Sequence, residues 1–327
     1  MITVEHLTKK YGNHLAVDDL SFSIEEGHVY GFLGPNGAGK STTMNIITGC
    51  LSATAGSVKI DGHDIFGEPE KAKKCIGYLP EQPPLYMNES PEDYLYFVGE
   101  AKGLRGTALD EQVDSVIRQT GIEKVAHRRI SQLSKGYKQR VGIAQALLGN
   151  PKVIILDEPT VGLDPIQIIE IRDLIKQLGL SHTVIFSSHI LSEVQAICDR
   201  ILIISKGRLV AFDEPQNLEK QMMGTNEIIV TTDISEKRLE KILGGVGFIR
   251  EVRMERKEEN LVTAHITSDH RDIYQVSRGI FFAFADAKAP MLEMSLKKAN
   301  LEDIFLELTD AAPESAAETK EEKEDNQ

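Results

Sequence analysis

Gly34-Pro35-Asn36-Gly37-Ala38-Gly39-Lys40-Ser41-Thr42 decides how this chain reads. A glycine, four residues and then Gly-Lys-Ser form the phosphate-binding loop pattern. Glycines let the backbone turn tightly, so that consecutive amides point inward at a phosphate. A helix beginning near Lys40 adds the positive end of its dipole. Lys40 is expected to reach the β- and γ-phosphates, and the Ser41 hydroxyl to serve Mg²⁺. The flanks agree: Val29–Leu33 reads as a buried strand entering the loop, and Thr42–Thr48 as a helix leaving it. That strand–loop–helix context is what the motif requires, and it predicts a nucleoside triphosphate site.

Two more segments end where such a site needs chemistry. Val153–Leu156 is a continuous apolar run, the mark of a strand buried on both faces, and it ends in Asp157-Glu158. A carboxylate at that place, Asp157, is suited to hold Mg²⁺ through water. The next, Glu158, is suited to polarise an attacking water as general base. Thr183–Phe186 reads as a second buried strand and ends in Ser187-Ser188-His189. His189 stands where open α/β sheets place their ligands, either as a group that hydrogen-bonds the γ-phosphate or as a surface histidine before a helix.

Working outward, Ile2–Leu7 alternates as a strand does, Tyr11-Gly12 follows in a turn, and Ala16–Ile24 reads as a second strand of a small antiparallel sheet. Tyr11 is placed either to stack on an adenine or to pack on that sheet. Gly56–Gly62 reads as a strand and turn, and Ile76–Pro80 as a short strand. From about Ser90 to Asn150 the pattern is helical, opening on Ser90-Pro91-Glu92-Asp93 with a cap, a first-position proline and acids in the first turn. Helices are expected over Pro165–Leu178 and Leu191–Cys198, with Arg200–Ile204 closing the sheet. From about Gln216 the texture changes to the order β-α-β-β-α-β, which predicts a small ferredoxin-like domain. Leu301–Leu308 reads as a final short helix, and 311–327 as an acidic disordered tail. The expected organisation is thus an α/β domain over 1–215, with a helical subdomain at about 85–150, an α+β domain over 216–310, and the tail.

Composition bounds the partners. The 327 residues carry 27% charged and 41% hydrophobic side chains with a net charge of −13, a globular and acidic chain for which no nucleic-acid partner is expected. The three cysteines, Cys50, Cys75 and Cys198, form no C-x-x-C pair and fit a reducing compartment. No apolar run approaches the ~18–20 residues that span a bilayer, and the N-terminus lacks a signal-peptide core. The expectation is a chain that does not cross a membrane itself.

Taken in order, these motifs resemble the nucleotide-binding subunit of an ATP-binding cassette (ABC) transporter, over residues 1 to about 215. Gly34–Thr42 (Gly34, Pro35, Asn36, Gly37, Ala38, Gly39, Lys40, Ser41, Thr42) is similar to the first Walker motif and Val153–Glu158 to the second. Gln82 is similar to the glutamine that touches Mg²⁺ and faces the membrane partner. Leu133-Ser134-Lys135-Gly136-Tyr137-Lys138-Gln139-Arg140 resembles the signature segment, Gly162-Leu163-Asp164 the loop that crosses the dimer interface, His189 the switch histidine and Tyr11 the adenine-stacking aromatic.

The resemblance implies a P-loop NTPase fold with a mixed RecA-like core sheet, a small antiparallel β subdomain, a helical subdomain and a C-terminal α+β domain. It implies ATP and Mg²⁺ as cofactors, with Ser41, Gln82 and Asp157 at the metal. It implies two chains, either two copies or a copy and a related subunit. These sandwich two ATP molecules so that Ser134 and Gly136 of one meet the γ-phosphate held by the other. It also implies an integral membrane permease as partner, and a peripheral place on the cytoplasmic face of the membrane. Lys135 and Tyr137 depart from the common Leu-Ser-Gly-Gly-Gln signature. This form, with Leu301–Leu308, resembles the branch serving ABC-2-type exporters, including drug-resistance and gliding-motility systems. Two other readings stay open: an importer ATPase with a C-terminal sensing domain, and a soluble cassette protein without a transporter.

Overall fold

The computed structural model of the chain describes residues 1–221, 226–258, 261–268, 270 and 272–297. Its described residues fall into two units, one of Met1–Pro215 and one beginning at Gln216. The expected Leu301–Leu308 helix and the 311–327 tail lie outside the described residues.

The first unit opens with an alternating hairpin, β1 (Ile2–Tyr11) and β2 (His14–Ile24). Tyr11 ends a strand rather than sitting in the turn, and pairs with His14 across it. With β4 (Ala55–Ile60) and β5 (His63–Asp64) the hairpin builds an antiparallel sheet in the order β2-β1-β4-β5. Between them come β3 (Val29–Leu33) and α1 (Lys40–Ile47). Then follow α2 (Pro69–Lys74), a short helix without a clear sequence signal, and β6 (Ile76–Leu79). Next is a helical stretch of α3 (Pro91–Ala101), α4 (Thr107–Thr120) and α5 (Lys135–Leu147). Ser90 caps α3 by accepting from the Asp93 amide at 3.1 Å, and Gly121 ends α4 in the left-handed region.

The second sheet carries the site. It adds β7 (Val153–Leu156), α6 (Pro165–Leu178), β8 (Thr183–Ser188), α7 (Leu191–Ile197), β9 (Arg200–Ser205) and β10 (Arg208–Asp213). The strand order is β10-β9-β3-β8-β7-β6. Every neighbour from β9 to β6 is parallel, and β3, β7 and β8 are buried at every position, as their unbroken apolar runs require. Arg200–Ile204 does not close this sheet. Lys206 and Gly207, both with positive φ, turn the chain back so that β10 pairs antiparallel on β9 and becomes the edge. The turn also braces the phosphate loop: the Gly207 amide donates to Ala38 O at 3.0 Å, and Gly207 O accepts from the Asp18 amide at 2.9 Å. Phe32, Ile155, Ile185 and Leu202 from this sheet, Met44 and Ile47 from α1, and Val4, Phe22 and Val58 from the other share one buried cluster. Each such side chain stabilises the unit by about 1.5–3 kcal/mol.

After α8 (Pro215–Gln221), the second unit runs β11 (Asn226–Thr232), α9 (Glu236–Leu243), β12 (Ile249–Glu258), β13 (Leu261–Ser268), α10 (Ile273–Asp286) and β14 (Glu293–Lys297). Its sheet is antiparallel throughout, in the order β12-β13-β11-β14, and has its own core around Ile228, Leu239, Ile266 and Ile280.

Candidate active site

Parallel pairing gathers the functional residues at one edge of the second sheet. β3, β7 and β8 all end there, so the loop after Leu33, the Asp157-Glu158 pair and His189 emerge side by side. The phosphate loop itself needs its glycines. Gly39 has φ of 101°, and a Cβ there would lie 2.5 Å from Ala16 O. Because Gly39 is the N-cap of α1 and provides no side chain, the first amides of that helix stay open to an anion.

The Lys40 ammonium is buried and donates to Gly34 O at 2.8 Å and Pro35 O at 3.3 Å. It also lies 3.2 Å from Glu158 Oε1. Glu158 Oε2 is 3.0 Å from His189 Nδ1. Glu158 itself holds a positive φ of 47°, a costly conformation for a residue with a side chain. Its amide donates to Ser187 Oγ at 2.8 Å, and that hydroxyl in turn donates to Asp157 Oδ1 at 2.6 Å. Ser41 Oγ donates to the same carboxylate oxygen at 3.3 Å. Burial raises the Asp157 pKa above the usual carboxylate value, the hydroxyls of Ser187 and Ser41 work against that, the Glu158 charge adds to it, and Lys40 lowers it.

Around this cluster lies a cleft of about 370 Å³ lined by Tyr11, His14, Asn36, Gly37, Gly39, Lys40, Ser41, Thr42, Glu81, Glu158 and His189 among others. Tyr11 is 47% exposed, so its ring is available as a flat face. Gln82 is exposed and does not line the cleft; its neighbour Glu81 does. Ser134, Gly136 and Asp164 are elsewhere, in a second cleft of about 440 Å³ with Tyr137, Arg140, Gln167 and Glu170. There Ser134 caps α5, Asp164 caps α6 through the Gln167 amide at 2.9 Å, and Arg140 pairs with Glu170 at 2.9 Å. The two clefts share no residue. Sequence reasoning passed over Ser187, His14 and Glu81. Ser187 had a visible signal, its place directly after the apolar run Thr183–Phe186. His14 and Glu81 had none.

Among the described residues no helix is long and apolar enough to cross a membrane. The profile of the family described as ABC transporter matches residues 17–161. The linearmycin resistance ATP-binding protein LnrL of Bacillus subtilis (strain 168) is 32% identical over 313 residues, covering 94% of this chain and 98% of that protein. The bacitracin transport ATP-binding protein BcrA of Bacillus licheniformis is 37% identical over 241 residues, 70% of this chain and 78% of that one. Among solved structures, the ATP-binding cassette MJ0796 in a dimeric post-hydrolysis state bound to ADP and Pi superposes with a TM-score of 0.59 at 27% identity, over 65% of this chain and 98% of that one. With the phosphate loop, the paired carboxylates and the histidine converging on one cleft, the chain belongs to the ATP-binding, ATP-hydrolysing subunits of ABC transporters.

Proposed function

We propose that this subunit powers an ABC-2-type exporter, paired with a second copy or a related subunit and held at the cytoplasmic face of the membrane by a separate permease. The observation that carries the catalytic part is the Glu158 carboxylate, held between Lys40 and His189 at the cleft. Glu158 takes a proton from water as the water oxygen attacks the γ-phosphorus of ATP, and the bond to the β,γ-bridging oxygen breaks to give ADP and phosphate. His189 holds the γ-phosphate and the water in line. Lys40 and the amides of Gly37–Thr42 carry the phosphate charge. Gly34, Pro35, Asn36 and Ala38 shape the loop, and Tyr11 stacks on the adenine.

Ser41 and Asp157 offer oxygen atoms 3.3 Å apart, a hard donor set that fits Mg²⁺. Ser41 would hold the ion directly, Asp157 through water, and Gln82 after its loop moves inward. When bound, the ion offsets charge on the phosphate oxygens. Ser134, Gly136 and Asp164 line a cleft of their own, which supports their acting on ATP held by the other subunit. The named roles of the relatives in bacitracin transport and linearmycin resistance support the exporter reading, as does the Ser134-Lys135-Gly136-Tyr137 signature form.

The test is affinity capture of the Glu158→Gln chain with ATP from detergent-solubilised native membranes, followed by mass spectrometry. A stoichiometric polytopic membrane protein is expected. Recovery of ribosomal or DNA-bound material without a membrane partner would overturn the exporter reading.

A further inference from the structure

Glu193 is 2% exposed, on the first turn of α7, and does not line the ATP cleft. A buried carboxylate is costly unless it is hydrogen-bonded or paired. Its Oε2 accepts from Thr160 Oγ1 at 2.7 Å and from Ser188 Oγ at 2.9 Å. Thr160 and Ser188 are themselves buried. Its Oε1 faces Arg172 Nη2 at 4.0 Å, and Arg172 Nε is buried without a hydrogen-bond partner among the described residues.

The positions of these contacts matter more than their number. Thr160 is two residues after Glu158, and Ser188 is the residue before His189. One oxygen therefore grips both backbone segments that present the Glu158–His189 pair. Glu158 needs such a grip, because its positive φ is not self-sustaining. Arg172 lies on α6, the helix that Asp164 caps, so the same carboxylate also faces the element that starts at the expected dimer contact.

We infer that Glu193 is a positioning residue for ATP hydrolysis, a buried tie that fixes Glu158 against His189 and links both to α6. The inference rests on the assignment of hydrolysis to Glu158 and His189. Misplacing a general base by an ångström costs up to about a hundredfold in rate, with little effect on substrate binding.

The experiment compares Glu193→Gln and Thr160→Val with Glu158→Gln and His189→Ala in the full chain, reading kcat, KM for ATP and thermal midpoint. Glu193→Gln and Thr160→Val should each lower kcat about ten- to a hundredfold and leave KM within about twofold. In a Glu158→Gln background, Glu193→Gln should add little further loss of residual kcat, because its effect passes through the Glu158 placement. An unchanged kcat in Thr160→Val and Glu193→Gln, with hydrolysis abolished in Glu158→Gln, sinks the tie and leaves the general base standing. A parallel loss of kcat, KM and thermal midpoint reduces Glu193 to a fold residue and also overturns the inference. Normal hydrolysis by both Glu158→Gln and His189→Ala removes the underlying assignment instead. Should Glu193→Gln fail to fold, the Thr160→Val result decides alone, since valine keeps the shape and replaces the hydroxyl with a methyl group.

Discussion

Lys40 Nζ and Glu158 Oε1 form an ion pair at 3.2 Å in which both side chains are nearly inaccessible to solvent. Under the roles proposed above, the cation that would bind phosphate is thus already engaged by the carboxylate that would activate water. Such a pair is weak as a source of stability, because desolvation offsets its attraction. It matters instead as a competitor. On that proposal, ATP would have to take Lys40 away from Glu158, and in doing so would free the carboxylate.

Glu158→Gln removes both the competing charge and the base. We expect ATP to bind more tightly, kcat to fall by about 10²–10⁴, and an ATP-held dimer to persist in size-exclusion chromatography. Near-normal turnover would remove Glu158 as the base.

Ser187→Ala strips the one hydroxyl that both donates to Asp157 and accepts from the Glu158 amide. The amide is then buried without a partner, at a cost of about 1–3 kcal/mol. Urea unfolding should register that loss as a lower midpoint. An unchanged unfolding midpoint would argue against the Ser187 hydroxyl as the partner that the Glu158 amide depends on.

Ser134→Arg changes a residue that lines no part of the Lys40 cleft. A mechanism confined to one chain predicts normal hydrolysis. The two-chain mechanism predicts loss of hydrolysis with binding of a fluorescent ATP analogue retained, and the two assays together decide.

Lys102 supplies a pH signature. The residue is exposed as a whole, but its ammonium is drawn beneath the end of α5, donating to Gln145 O at 3.0 Å and Leu148 O at 2.6 Å. Burial of that end lowers its pKa to about 8. The unfolded chain, with an ordinary lysine near 10.4, then holds more protons than the folded one between those values, so Lys102 makes stability rise with pH across that window. Below pH 8 the contribution is constant and unfavourable. The thermal midpoint of wild type relative to Lys102→Met should therefore increase from pH 7.5 to 9.5; parallel curves would contradict the assignment.

Much of the site is legible in sequence because its determinants are local. The glycine spacing before Lys40, the apolar run into Asp157 and the serines before His189 each announce themselves within a few residues. Ser187 and Glu193 act through pairing between segments far apart, so their roles appear only once β7 and β8 are in register and α7 is packed. β10 was missed for a different reason. Its residues are only partly buried, so the edge strand lacks the unbroken apolar run that marks β7 and β8, and only the Lys206-Gly207 turn betrays it. Tyr11 shows the limit from the other side: an exposed aromatic at a hairpin end has no period to read, and only the cleft shows which way it is available.

The brace from Gly207 to Ala38 has a consequence for how the chain is made. The phosphate loop leaves the ribosome early, but its backbone partner arrives only with the last strand of the sheet. The two strands that flank β3, β8 and β9, also come late, only shortly before that turn. A nascent or prematurely terminated chain therefore carries the full ATP-binding motif without the means to hold its shape.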